Sequence, residues 1–258
     1  MRILSTIALA FSMFSRIPVP AVPWDKENLR YALCAFPLVG ALIGLFCWAW
    51  AALCGILSVP VFLRAAGFCA IPVLLTGGIH LDGYCDTWDA RSSHGALERK
   101  QEIMKDPHIG SFAVIRLFLY FLVLFSLWSA LPVYPPVVVL LSFCLSRSLS
   151  GLAVAAFPLA KDSGLAYTFA SAADQRRVTA VLTVLSVALA LAMGFVGNGL
   201  TGWLTAAAAF LVFVFYRRMA VWEFGGISGD LAGWFLQTAE LWMLAGMELA
   251  ALLGGVLP

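Results

Sequence analysis

Seven apolar runs divide the chain: Tyr31 to Leu57, Pro60 to Thr76, Ser111 to Leu131, Val137 to Ala160, Val178 to Val196, Leu200 to Tyr216 and Gly233 to Val256. A helix needs about 20 apolar residues to cross the hydrocarbon of a bilayer. Backbone groups in lipid must be satisfied within the protein, so runs of this length are read as helices. Across the 258 residues, 62% are hydrophobic and 12% charged, against roughly 25% charged in a soluble domain. The expectation is an all-α, polytopic transmembrane helical bundle of about seven spans, forming one membrane-embedded domain over residues 1–258. The second and sixth runs are short, and the second also carries Arg64 and Pro72.

The connections between the runs give an independent reading of orientation, because Lys and Arg accumulate on the cytoplasmic side. Lys26 and Arg30 precede the first run, and Arg91, Arg99, Lys100 and Lys105 lie between the second and third. Lys161, Arg176 and Arg177 follow the fourth, and Arg217 and Arg218 follow the sixth. The alternate connections contain neither residue type, Arg64 being the nearest exception. Every second connection is basic, which puts the N-terminus and the charged 76–109 segment in the cytoplasm. The net charge of +2 is too small to imply nucleic acid, and none is expected as a partner. Six cysteines form no CxxC pair and indicate neither disulfides nor zinc. The first 22 residues resemble a signal peptide only superficially: they lack a small-residue cleavage site, and Ile3, Ile7, Ala10 and Phe14 recur at helical spacing. An uncleaved interfacial helix is expected there.

The stretch from Thr76 to Ile109 crowds charged side chains and all three histidines into a chain that is otherwise mostly apolar. Asp82, Asp86 and Asp89 fall at i, i+4 and i+7, which stacks three carboxylates on one face if the segment is helical. Such a stripe repels itself and would be relieved by a cation. Hard oxygen ligands suit Mg²⁺, which takes one or two protein carboxylates and completes its shell with water and substrate phosphates. The competing reading is a solvated acidic loop whose aspartates cap helices and pair with Arg91 or Lys105. His80, His94 and His108 share no helical spacing and do not suggest zinc; His80 is a candidate phosphate donor, and Lys105 is placed to meet an anionic substrate.

Two features lie outside that stretch. Arg147 falls near the centre of the fourth run, where a charge costs roughly 3 kcal/mol or more and needs a partner or a polar cavity. Its guanidinium suits a phosphate fork, and its alternative is a buried ion pair with Glu240 of the seventh run. Before that run, Gly225-Gly226-Ile227-Ser228-Gly229-Asp230 offers backbone N–H groups to a phosphate through Gly226. Asp230 is either a further metal ligand or a helix N-cap.

These residues resemble the cobalamin synthase family, also called adenosylcobinamide-GDP ribazoletransferases. The resemblance rests on SRIPVP at 15–20, FPLVGALIG at 36–44, TGGIHLDGYCDTWD at 76–89, EIMKDPHIGSF at 102–112, SRSLSG at 146–151 and GGISGDLAG at 225–233. It implies a multi-pass enzyme of the bacterial cytoplasmic (inner) membrane, with its site facing the cytoplasm. The implied substrates are adenosylcobinamide-GDP and α-ribazole or its phosphate, and the products are GMP and adenosylcobalamin or its phosphate. It also implies catalytic and Mg²⁺-binding roles for Asp82, Asp86 and Asp89, with Asp89 a ligand or the base. Substrate contacts would come from His80, Lys105, Arg147, Gly226 and Asp230. A homo-oligomer is compatible with this reading. The alternatives are another Mg²⁺-dependent membrane phosphoalcohol or prenyl transferase, and a transporter built around Arg147 and Glu240.

Overall fold

A computed structural model describes residues 2–132, 134–197 and 199–254. Its elements are α1 (Arg2–Phe14), α2 (Lys26–Leu29), α3 (Ala32–Ile56), α4 (Val61–Thr76), α5 (Ile79–Ser92), α6 (Leu97–Ile103), α7 (Ser111–Ala130), α8 (Pro136–Ala156), α9 (Leu165–Ala172), α10 (Gln175–Val196), α11 (Leu200–Phe224) and α12 (Gly229–Leu253). The described residues contain no strand, only an isolated backbone bridge between Leu159 and Ile227. The architecture is the expected all-α membrane bundle.

Each apolar run becomes a helix, but the number of spans is smaller than seven by length and apolarity. Among the described residues five helices meet both requirements: α3, α7, α8, α10 and α11. A sixth arises only if α4 and α5 are taken together, and the chain bends by 96° between them. With Asp82, Asp86, Asp89 and Arg91 in 14 residues, α5 is too polar to be a span and lies outside the spanning segments. The 25-residue α12 matches α11 in length but carries Asp230, Gln237, Glu240 and Glu248. The end of the seventh run, Val256, lies outside the described residues. Two boundaries also move. The sixth run continues to Phe224 because Arg217 and Arg218 rest over the rings of Phe157 and Trp222 instead of ending the helix. The fourth stops at Ala156, since Pro158 forces Phe157 into an extended conformation.

The bundle is organised around α8. Most of its residues from Ser142 to Ala155 are buried, and α3, α10, α11 and α12 all pack on it; a helix enclosed on every side is a core helix. On α7, by contrast, Phe112, Val114, Ile115, Phe118, Leu119, Leu122 and Val123 are exposed, which gives that helix an apolar face for lipid. Inside the bundle a polar seam crosses from α8 to α12. Arg147 Nη1 donates to Glu240 Oε1 and to Ser146 Oγ, and Ser146 Oγ donates to Glu240 at 3.1 Å. Tyr120 of α7 donates to Gln237 of α12 at 2.7 Å. Arg147 has therefore taken the partner weighed as its alternative, with 0% of its surface exposed.

The polar connections gather at one end of the bundle. The Arg16 N–H donates to the Leu75 carbonyl at 2.7 Å, tying the segment after α1 to the end of α4. Arg30 pairs with Asp174 at 2.9 Å. The chain around Leu159 pairs with the turn before α12 through Ala160 N to Ile227 O at 2.9 Å and Ile227 N to Pro158 O at 2.8 Å.

Removing one member of a buried ion pair strands the other, at a cost of about 3–5 kcal/mol, whereas replacing both with apolar residues is close to neutral. Glu240→Ala is thus expected to lower the unfolding temperature in detergent sharply, and the double variant Arg147→Met/Glu240→Met to recover most of the loss. An unchanged melting temperature in Glu240→Ala would show that the pair is not structural.

Candidate active site

Two successive residues in left-handed conformation, Gly77 at φ 68° and Gly78 at φ 81°, turn the chain out of α4. Glycine adopts this geometry without steric cost. The turn lays α5 across the end of the bundle and against the start of α12. There the two backbones touch: a β-carbon at Gly83 would stand 2.6 Å from the Asp230 carbonyl oxygen, and one at Gly233 would stand 2.9 Å from the His80 carbonyl oxygen. The pair of glycines brings Asp82 and Asp86 of α5 beside Asp230 of α12. The N-cap of α12 is Ser228, whose hydroxyl accepts from Leu231 N at 3.2 Å, so Asp230 is not the cap.

No hydrogen bond or ion pair joins the Asp82 or Asp86 side chain to another described residue. Burial, followed by the carboxylates of Asp82, Asp230 and Asp89, pushes Asp86 up to about 7. A cation would relieve this repulsion. Lys161 is the base whose charge acts on Asp230.

Asp89 has another task. Its Oδ2 accepts from Gly110 N at 2.6 Å and its Oδ1 from Ala113 N at 2.8 Å. It caps α7, whose own N-cap, Gly110, has no side chain to do so. This is the capping role expected as the alternative for the acidic stripe, and Asp89 fills it while its charge still acts on Asp86. Among the described residues no group of three His, Cys, Asp or Glu side chains stands ready to hold a metal ion together. What the site offers is two unpaired carboxylates with a third nearby, and Mg²⁺ can complete such a shell with phosphate and water oxygens.

The remaining expected contacts are dispersed. Lys105 is exposed and lies with Glu98, Glu102 and Asp106 at the end of α6, and it does not line the cavity beside the aspartates. Gly226, at φ 154°, packs its α-carbon against the backbone of Pro158 and Leu159; its approach serves the loop pairing, not a phosphate cradle. Arg147 is engaged with Glu240. His80 is buried, with its ring centroid 6.4 Å from that of Phe14 and 6.0 Å from that of Phe36. Burial, aided by the charge of Arg147, pushes its imidazole down to about 3, which keeps it neutral.

Three features escape the sequence. Lys161 looks like part of a solvated loop until the Leu159–Ile227 bridge carries it to Asp230. Glu223 accepts from Arg91 at 3.0 and 3.2 Å and from Lys100 at 3.1 Å, fastening α5 and α6 to α11. A cavity of about 280 Å³ opens beside the aspartates, lined among others by Phe14, Phe36, His80, Asp82, Phe169 and Asp230. Its walls come from α1, α3, α5, α8, α9 and α12, and no periodicity within one segment could have announced them.

The family model described as cobalamin-5-phosphate synthase matches residues 6–248. The chain is similar to an adenosylcobinamide-GDP ribazoletransferase of Lachnoclostridium phytofermentans, 44% identical over 93% of this chain and 92% of the relative. It is also similar to proteins of the same description from Ectopseudomonas mendocina, 34% identical over 94% and 98%, and Geobacillus thermodenitrificans, 32% identical over 91% and 92%. No solved structure matches. The order of the motifs, the all-helical membrane bundle and the near full-length match agree, and the chain belongs to the cobalamin-5-phosphate synthase family.

Proposed function

We propose that the protein transfers the adenosylcobinamide-phosphate moiety of adenosylcobinamide-GDP to α-ribazole or its phosphate, at the cytoplasmic face of the bacterial inner membrane. The relatives' common description supports the activity, and the basic connections support the face. The structural observation that carries it is the meeting of the unpaired Asp82 and Asp86 with Asp230 at the mouth of a cavity.

The reaction is a displacement at phosphorus. A ribose hydroxyl of the acceptor attacks the cobinamide-side phosphorus; the new P–O bond forms as the bond to the bridging oxygen breaks, and GMP leaves with that oxygen and its electron pair. Such transfers depend on positioning and on neutralising charge. Asp82 and Asp86 would hold Mg²⁺, which when bound supplies positive charge to the diphosphate and to the departing oxygen. Asp230, which lines the cavity, is placed to take the hydroxyl proton from an acceptor seated there. This moves the base away from Asp89, whose oxygens are committed to α7. Lys161 balances charge at Asp230.

Purified protein supplied with adenosylcobinamide-GDP, α-ribazole and Mg²⁺ is expected to release GMP. Absence of GMP together with turnover of a lipid substrate would overturn the assignment. Asp82→Asn and Asp86→Asn are each expected to lower turnover by 100-fold or more, on the order of 3 kcal/mol of transition-state stabilisation, while the variants still fold. Asp89→Asn should act mainly on thermal stability through α7. Near-normal Mg²⁺-dependent turnover in both Asp82→Asn and Asp86→Asn would remove the metal role.

The position of Asp86 sets a pH dependence. Its carboxyl is raised in the folded protein, so the ionised form that binds metal is present above about pH 7 and lost as pH falls through it. At limiting Mg²⁺, activity is expected to decline below about pH 7, and saturating Mg²⁺ should shift that limb to lower pH. A limb that ignores Mg²⁺ concentration would exclude Asp86 as a ligand.

A further inference from the structure

The cavity beside the aspartates is lined mainly by apolar side chains, three of them phenylalanines. Asp82 and Asp230 stand in its lining, and no Lys or Arg does. Behind them, rings from three separate elements converge. Phe14 of α1 lies 4.1 Å from Phe36 of α3 and 5.5 Å from Phe169 of α9, centroid to centroid. Leu33, Val154, Leu165 and Leu236 complete much of the wall. Buried His80 stands among these rings, and its Nε2 has no hydrogen-bond partner.

We propose that this chamber is the acceptor's base pocket: it takes a flat, uncharged heteroaromatic base, stacked against Phe14, Phe36 and Phe169, and holds the attached ribose at Asp230. The inference rests on the transferase reading above and adds where the acceptor sits and what selects it.

Three physical arguments carry it. The first is size: at about 280 Å³ the cavity lies at the small end of ligand pockets. A bicyclic base with its ribose is of that size; a corrin macrocycle with its axial ligand is not, so the corrinoid must remain outside the chamber. The second is charge: an anionic diphosphate driven inward would meet apolar walls without a cation in the lining. The donor's diphosphate is therefore left at the outer edge, at Asp82 and Asp86, while a neutral base can enter. The third is shape, because aromatic rings within about 4.5–7 Å of one another favour stacked and tilted arrangements, and stacking on aromatic side chains selects planar bases without requiring a full set of hydrogen bonds. The two ends of the chamber then hold the reacting hydroxyl between a proton acceptor and the donor phosphorus.

The arrangement also gives α1 and α9 a role. Both are short helices outside the spanning set, and each contributes one ring. Arg16, anchored to Leu75, holds the end of α1 against the turn that begins α5. Trp24 lies 6.3 Å from Phe169 and reports on that wall.

The test uses the full chain in detergent with adenosylcobinamide-GDP and α-ribazole as the two varied substrates. Phe169→Leu and Phe14→Leu, which keep apolar bulk but remove a ring, are expected to raise KM for α-ribazole roughly 10- to 100-fold and to leave KM for adenosylcobinamide-GDP within about twofold. Phe169→Tyr, which keeps the ring, should stay near wild type. Unchanged KM for α-ribazole in both Leu variants, or an equal rise for both substrates, overturns the pocket while leaving the transferase reading intact. If the wild type releases no GMP, α-ribazole binding is followed directly by tryptophan fluorescence. Binding weakened at least 10-fold by Phe169→Leu then supports the pocket although the transferase reading fails, and absence of binding ends both.

Discussion

The candidate site depends on the close approach of α5 to α12, where Gly83 faces the backbone of Asp230 and Gly233 faces that of His80. Side chains at those positions would hold the two helices apart, and the carboxylates of Asp82, Asp86 and Asp230 would each sit in their own solvent. With glycine they share one space. Their mutual repulsion is held in place by attachments made elsewhere: Glu223 ties Arg91 and Lys100 to α11, and Asp89 ties α5 to the start of α7. The packing enforces an approach that the charges oppose. That is the electrostatic condition under which a divalent cation binds in preference to remaining hydrated.

The same economy explains why the motif carries three aspartates and the site uses them differently. At helical spacing Asp82, Asp86 and Asp89 lie along one stripe, so they are equivalent in sequence. They are not equivalent once α7 arrives, because its N–H groups hydrogen-bond to both oxygens of Asp89. The first N–H groups of a helix lack partners within it, and Gly110 leaves their capping to another segment. Asp230, from a distant part of the chain, joins Asp82 and Asp89 beside Asp86.

Much of the bundle was legible because lipid imposes a one-dimensional rule: a stretch either satisfies its backbone within itself or stays out. The runs, the basic connections and the polarity of 76–109 follow from that rule. Glu240 was legible only as the alternative partner of Arg147, because a guanidinium inside a span equally suits a phosphate; the structure pairs the two. What escaped depends on distant backbone pairings. The Leu159–Ile227 bridge recruits Lys161 and explains Gly226, yet nothing within either segment announces it. The aromatic chamber is assembled from helices far apart in the chain, whose rings read individually as ordinary core residues. Lys105 misled for the opposite reason: closeness in sequence to the aspartates suggested closeness in space, but it projects at the exposed end of α6.

The charge arrangement also bears on the order of events in the proposed reaction. Before any cation is present, an incoming diphosphate would face Asp82, Asp86 and Asp230 with Lys161 as the opposing charge on Asp230. Arg147 offers no help, being buried against Glu240, and Lys105 is elsewhere. Repulsion between anions in a partly desolvated site is strong, so donor and metal must arrive together or the metal must come first. The acceptor faces no such barrier. In the proposed pocket the uncharged base of the acceptor meets mainly apolar walls, so its entry does not wait on the cation. The position of the site at the end of the bundle suits this division, because the apolar wall of the cavity continues the bundle core.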